Sequence, residues 1–244
     1  MSTRRQHPRP GSIPHFCLLA RPYRWLEYLS FGHALERCRF TFLHTMAGQK
    51  RALVLGDGDG RFTAQLLAQS PDSRVHAVDC SAGMLAALYR RAKKVNATDR
   101  LTLEQADLRE WNVPRSASLN PPFDLIATHF FLDCLTTAEV ARLAQRVSAL
   151  SGPGAFWTIS EFAVPSGGWM RPLAAAVVFV LYRVFRLLTA LGPQQLPDHA
   201  SALQSAGWRR VQRCEYLRGL LMSELWQQSA ATPAGTENAI TQPS

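Results

Sequence analysis

Carboxylates at the tips of apolar runs, set beside a cluster of glycines, are the residues of this chain best placed to do chemistry. Gly56-Asp57-Gly58-Asp59-Gly60 follows the apolar run Ala52-Leu53-Val54-Leu55. Such glycines let the backbone turn sharply and let a ligand lie against it with no Cβ in the way. A second run, Arg74 to Val78, ends in Asp79. An acid there, about 20 residues beyond the glycines, suits the paired hydroxyls of a ribose. A third run, Leu101-Thr102-Leu103-Glu104-Gln105, leads into Ala106-Asp107-Leu108. A fourth, Phe123 to Thr128, leads into His129, Phe130, Phe131, Leu132 and Asp133. The chemistry implied is recognition of a nucleotide by backbone and carboxylates.

The spacing narrows which nucleotide. A dinucleotide fingerprint reads G-x-G-x-x-G, but here Arg61 stands where the third glycine belongs. No G-K-[ST] follows, which excludes a P-loop. The pattern resembles the first motif of the class I S-adenosylmethionine-dependent methyltransferases, and the resemblance covers roughly residues 50–228. It implies S-adenosyl-L-methionine as cofactor. Gly56, Asp57, Gly58 and Gly60 would form the cofactor loop, and Asp79 would hold the ribose hydroxyls, with Cys80, Ser81 and Met84 following it. Asp107, between Ala106 and Leu108, would face the adenine amino group. Thr128 and His129, at the end of the fourth strand, would lie near the sulfonium. One position departs from the family. An acid usually stands two residues before the first glycine, where this chain has Val54. Asp57 and Asp59 place acid inside the loop instead, and either is open as the contact to the methionine end.

The positioning elements follow from the alternation of strands and helices. Helical patterns span Phe62 to Leu67, Ser81 to Val95 with Ser81 as N-cap, Thr137 to Leu150, and Pro197 to Ala206. Ser151-Gly152-Pro153-Gly154 reads as a closing turn before a fifth strand, Ala155 to Phe162. Trp208 to Tyr216 and Leu220 to Gln228 read as a terminal hairpin. The expectation is an α/β fold: a Rossmann-like, seven-stranded, mostly parallel sheet with helices on both faces, an antiparallel last strand and an N-terminal helical cap. The expected organisation is a disordered basic arm over 1–18, the helical cap over 19–48, the catalytic domain over 49–228 and a disordered tail over 229–244. Within the domain an apolar helix is inserted at 172–192. It reads as a cap over the acceptor, an interfacial helix touching a membrane or lipid substrate, or a dimer face.

For the acceptor side, His129, Asp133 and Glu161 are candidate bases. Tyr23, Phe131 and Trp169 are candidate substrate aromatics. Methyl transfer asks mainly for in-line positioning, because the sulfonium is already activated. Asn120-Pro121-Pro122-Phe123 matches the N-P-P-[YF] signature of nucleic-acid amino-methyltransferases, but it precedes the fourth strand instead of following it. The net charge of +9 is uneven, with eight Arg and Lys against Glu27 and Glu36 in residues 1–50. The five cysteines are scattered with no C-x-x-C pair, as in a reduced cytoplasmic protein, and no metal site is expected. A small-molecule acceptor is expected and a nucleic acid is not. A non-catalytic cofactor-binding protein and a nucleic-acid methyltransferase remain as alternatives, and the oligomeric state stays open.

Overall fold

The computed structural model describes residues 33–111, 122–163 and 196–229. The basic arm, Tyr23, Asn120, Pro121, Trp169, the segment 172–192 and all of the tail beyond Ser229 lie outside them. The strands are β1 (Arg51–Leu55), β2 (Arg74–Asp79), β3 (Leu101–Gln105), β4 (Phe123–His129), β5 (Ser151–Phe162), β6 (Trp208–Tyr216) and β7 (Leu221–Gln228). They form one seven-stranded sheet in the order β3-β2-β1-β4-β5-β7-β6. β1 to β5 are parallel, and β7 enters antiparallel between β5 and β6. The helices are α1, described over 33–39, α2 (Arg61–Gln69), α3 (Ala82–Lys94), α4 (Thr137–Leu150) and α5 (His199–Ser205).

Beyond Arg51, β1 is apolar because both of its faces are covered. Leu53 and Leu55 join the layer of Ile126, Trp157 and Trp226, which packs on α4 and α5. Ala52 and Val54 join Phe62, Leu66 and Leu88 of α2 and α3. Leu35 and Cys38 of α1 pack with Phe162 and Leu221. Local signals start the helices. The Ser81 hydroxyl accepts from the Met84 N–H at 3.4 Å, and Thr136 with Glu139 forms a capping box on α4. The strand order reverses around β1, which neighbours β2 on one side and β4 on the other. Ligand crevices in open parallel sheets form at such a point, beyond the carboxyl ends of the strands.

Several boundaries differ from expectation. β5 begins at Ser151, not Ala155, because Ser151 pairs with Phe123 across a register shift. Pro153 is tolerated there because pairing with β7 starts only at Phe156. β4 runs one residue further, to His129, and α5 is shorter than 197–206. Among the described residues no helix is long and apolar enough to cross a membrane.

Candidate active site

The glycine loop joins β1 to α2. Gly56, Gly58 and Gly60 have φ of 68°, 61° and 81°, a region that glycine enters freely. A Cβ on Gly56 would collide with the Phe131 ring, and one on Gly60 with Leu88 of α3. Gly60 therefore serves loop–helix packing, while Gly56 lies under the aromatic ring that follows β4. The loop acids are engaged by protein. Asp57 is buried and accepts from the backbone N–H of Phe62 at 3.4 Å and Thr63 at 2.9 Å. Burial raises its pKa, against the pull of Arg39 and Thr63. Asp59 accepts from Arg91 at 2.7 Å and Arg61 at 3.2 Å, and Arg61 reaches on to Glu36 at 2.6 Å. The two acids that the sequence offered for the methionine end thus cap α2 and tie the loop to its neighbours.

Asp79 is held at the tip of β2. One carboxylate oxygen accepts from the Gly58 N–H at 3.2 Å and the other from the Ser81 N–H at 2.9 Å. Cys80 keeps its carbonyl on the Gln105 amide at 3.1 Å, and the Ala106 N–H donates to the Asp79 carbonyl at 3.2 Å. Met84 lies in the first turn of α3. Asp107 is gripped by Arg109, whose guanidinium comes within 2.6 Å and holds the carboxyl below its usual range. The Asp107 loop is locked by Arg146 of α4, which donates to the carbonyls of Leu108, Arg109 and Trp111 at 3.4, 3.2 and 2.7 Å. Leu108 is buried in the core, so its side chain anchors that loop. The sequence singled out neither Arg109 nor Arg146. Arg109, two residues beyond Asp107, carried a local signal; Arg146 carried none.

At the end of β4, Thr128 is fully buried and its hydroxyl accepts the Trp157 indole N–H at 3.0 Å. His129 is 1% exposed, bonds through Nδ1 to the Ser160 hydroxyl at 2.9 Å and packs on Phe62 with ring centres 4.4 Å apart. Burial, reinforced by Arg39, holds its pKa well below the usual value, which favours the neutral ring and makes it a weak base.

Asp133 and Glu161, the other candidate bases, are brought together. Glu161 is buried, and its Oε1 accepts from the backbone N–H of Phe131 at 3.1 Å and Leu132 at 2.7 Å. It thereby fixes the short helical turn Leu132–Cys134 that carries Asp133. Burial pushes the Asp133 carboxyl up to about 6. Burial, then repulsion from Asp133, pushes Glu161 well above the carboxylate range.

A further buried acid escaped the sequence reading. Glu224 of β7 is fully buried and accepts from His199 at 3.1 Å, Arg210 at 2.9 Å, Arg213 at 3.1 Å and the Trp226 indole at 2.9 Å. Its only local mark is a charge inside the apolar run Leu220 to Trp226.

With this geometry in place, residues 53–157 match the family described as "Methyltransferase domain". That match covers the glycine loop, Asp79, Asp107 and the strands β1 to β4. No curated protein matches the chain. The methyltransferase domain has the fold of several solved structures. Mitomycin 7-O-methyltransferase MmcR is 15% identical with a TM-score of 0.59, over 75% of this chain and 50% of that one. An O-methyltransferase family 2 protein from Planctomyces limnophilus, solved with apigenin, is 19% identical with a TM-score of 0.61, over 84% and 61%. An O-methyltransferase family protein from Burkholderia thailandensis is 15% identical with a TM-score of 0.62, over 91% and 65%. The chain thus spans less than two thirds of each of these neighbours. Methyltransferase domains of this family use S-adenosylmethionine, and the residues here fit it: a bare glycine backbone, the Asp79 carboxylate fixed beside it, and Asp107 on the next strand end. The buried, apolar Val54 is the departure.

Proposed function

We propose that this chain methylates an oxygen of a small, apolar or aromatic acceptor, lipid-like or quinone-like molecules included, with S-adenosylmethionine as donor. The observation that carries the cofactor reading is Asp79, whose two oxygens are oriented by Gly58 and Ser81 at the strand end beside the glycine loop. Bound S-adenosylmethionine would supply a methyl group already activated on sulfur. What the chain must add is position and a place for the acceptor's proton. Asp133 is that place: with its carboxyl at about 6, it is ionised at neutral pH and near enough to neutrality to take a hydroxyl proton. Glu161, its carboxyl pushed up by burial, acts as a positioning residue through the Phe131 and Leu132 backbone. Phe131 offers an aromatic face over Gly56, which favours a flat or apolar acceptor. The O-methyltransferase descriptions of the three neighbours favour oxygen. Tyr23, Trp169 and residues 172–192, which lie outside the described residues, are assigned to the acceptor side in this reading on the sequence alone.

The test is a panel of phenols, hydroxyquinones and aliphatic alcohols incubated with S-adenosylmethionine and read by mass spectrometry. An O-methylated phenol or hydroxyquinone is expected. Cofactor binding with no turnover on any class would favour the non-catalytic alternative. Turnover confined to amines would overturn the oxygen assignment.

A further inference from the structure

Asp107 lies two residues past Gln105, the β3 partner of Asp79, so the two acids occupy neighbouring strand ends. They are not held alike. Each Asp79 oxygen accepts a backbone N–H from another loop. Asp107 is held by one residue. Arg109 gives its backbone N–H to Oδ1 at 3.0 Å, shares its Nε–H between Oδ1 at 3.0 Å and Oδ2 at 3.1 Å, and gives an Nη2–H to Oδ2 at 2.6 Å. The loop around this pair is tied down as well. Arg146 holds the carbonyls of Leu108, Arg109 and Trp111. The Trp111 indole donates to Glu104 at 2.8 Å, and the other Glu104 oxygen meets His76 Nε2 at 2.8 Å.

An ionised carboxylate has about four lone-pair sites and no hydrogen to give. Arg109 supplies three hydrogens, so among the described residues one site stays open. The Asp107 side chain is 38% exposed, which leaves that site within reach of a ligand. A carboxylate that cannot turn and can only accept discriminates between purines. The 6-amino group of adenine donates to it. The 6-oxo group of hypoxanthine only accepts, so it repels the carboxylate. The N1–H of that base is displaced along its edge, out of line with an acid held by a planar fork. A site arranged to accept a hydrogen rejects strongly an analogue that lacks it.

We infer that Arg109 makes the base end of the site selective for a 6-amino purine, by holding Asp107 so that its one open lone pair meets the amino group and cannot follow a 6-oxo base. This rests on the cofactor reading above. Arg109 acts through Asp107 and is a positioning residue.

Calorimetry with two ligands tests it: S-adenosylhomocysteine, and S-inosylhomocysteine, which differs only in its 6-oxo base. The wild-type protein is expected to prefer S-adenosylhomocysteine by at least about tenfold. Arg109→Met should weaken S-adenosylhomocysteine about tenfold and leave S-inosylhomocysteine within about twofold, or tighten it, because a freed carboxylate can turn to the N1–H. Arg109→Lys keeps the charge without the fork. It should show a smaller loss for S-adenosylhomocysteine alone, and it decides the matter if Arg109→Met does not fold. Asp107→Asn, whose amide both donates and accepts, should erase the preference. Equal weakening of both ligands by the Arg109 variants, or of neither, overturns the inference. So does a wild-type protein that binds both equally. A wild-type protein that binds neither overturns the cofactor reading itself.

Discussion

Glu161 and Glu224 are buried carboxyls on adjacent strands, and their surroundings drive them in opposite directions. β5 and β7 pair with Ile159 opposite Glu224 and Glu161 opposite Met222, so both side chains leave the same face of the sheet two residues apart. Burial alone would raise both. Around Glu224, His199, Trp226 and Arg210 more than offset that and hold the carboxyl at about 2. Among the described residues, Glu161 Oε1 accepts from the backbone N–H of Phe131 and Leu132, and repulsion from a second acid, Asp133, adds to burial. One site fastens the carboxy-terminal hairpin to α5. The other sets a carboxyl with a raised pKa beside an acid raised to about 6, as proton-handling sites do.

The largest effect should come from breaking the ionic side of this comparison. Glu224→Ala strands His199, Arg210 and Arg213 around a void and should cost about 3–5 kcal/mol, read by urea unfolding. The pH dependence has a definite sign. The folded carboxyl lies below its ordinary value, so its contribution is present above about pH 4.5 and lost as pH falls through about 2. The variant should lack that step.

Asp133→Asn tests the proton-handling side. It should lower turnover about a hundredfold. It should also remove the rise in rate as pH increases through about 6, read as a pH–rate profile. A variant that keeps the same limb would assign it to another group.

Glu161→Gln should be the mildest. The amide carbonyl still accepts from Phe131 and Leu132 and keeps the turn that carries Asp133 in place, so turnover should change by less than about tenfold. A folded pKa above the unfolded one gives stability that is full at low pH and lost as pH rises. The substitution should therefore favour the folded state more at pH 8 than at pH 5, by thermal melting.

The same contrast explains what could be read in advance. Gly56 to Gly60 and Asp79 were legible because a turn and a strand tip are local features with a fixed spacing. The sheet was legible because β1 to β5 alternate with helices. Glu224 was not, because its partners come from residues 199, 210, 213 and 226, joined only by α5 and a hairpin. The meeting of Asp133 with Glu161 depends on the pairing of β4 with β5. The burial of His129 was not legible, because its contacts with Ser160 and Phe62 come from β5 and α2. Nor was that of Asp57, whose carboxylate the N–H groups opening α2 draw inward. Ser151 to Gly154 looked like a turn because Gly-Pro-Gly punctuates most chains, and a register shift hides that signal here.

The central claim is that the glycine loop and Asp79 form a site for S-adenosylmethionine. Calorimetry of S-adenosylhomocysteine with the wild-type chain and Asp79→Ala tests it most directly, with circular dichroism to verify the fold. The account predicts binding to the wild type in the micromolar range, no binding of NAD, and an affinity at least about tenfold weaker in the variant. Equal affinity in the two proteins, or binding of NAD in place of S-adenosylhomocysteine, would contradict it.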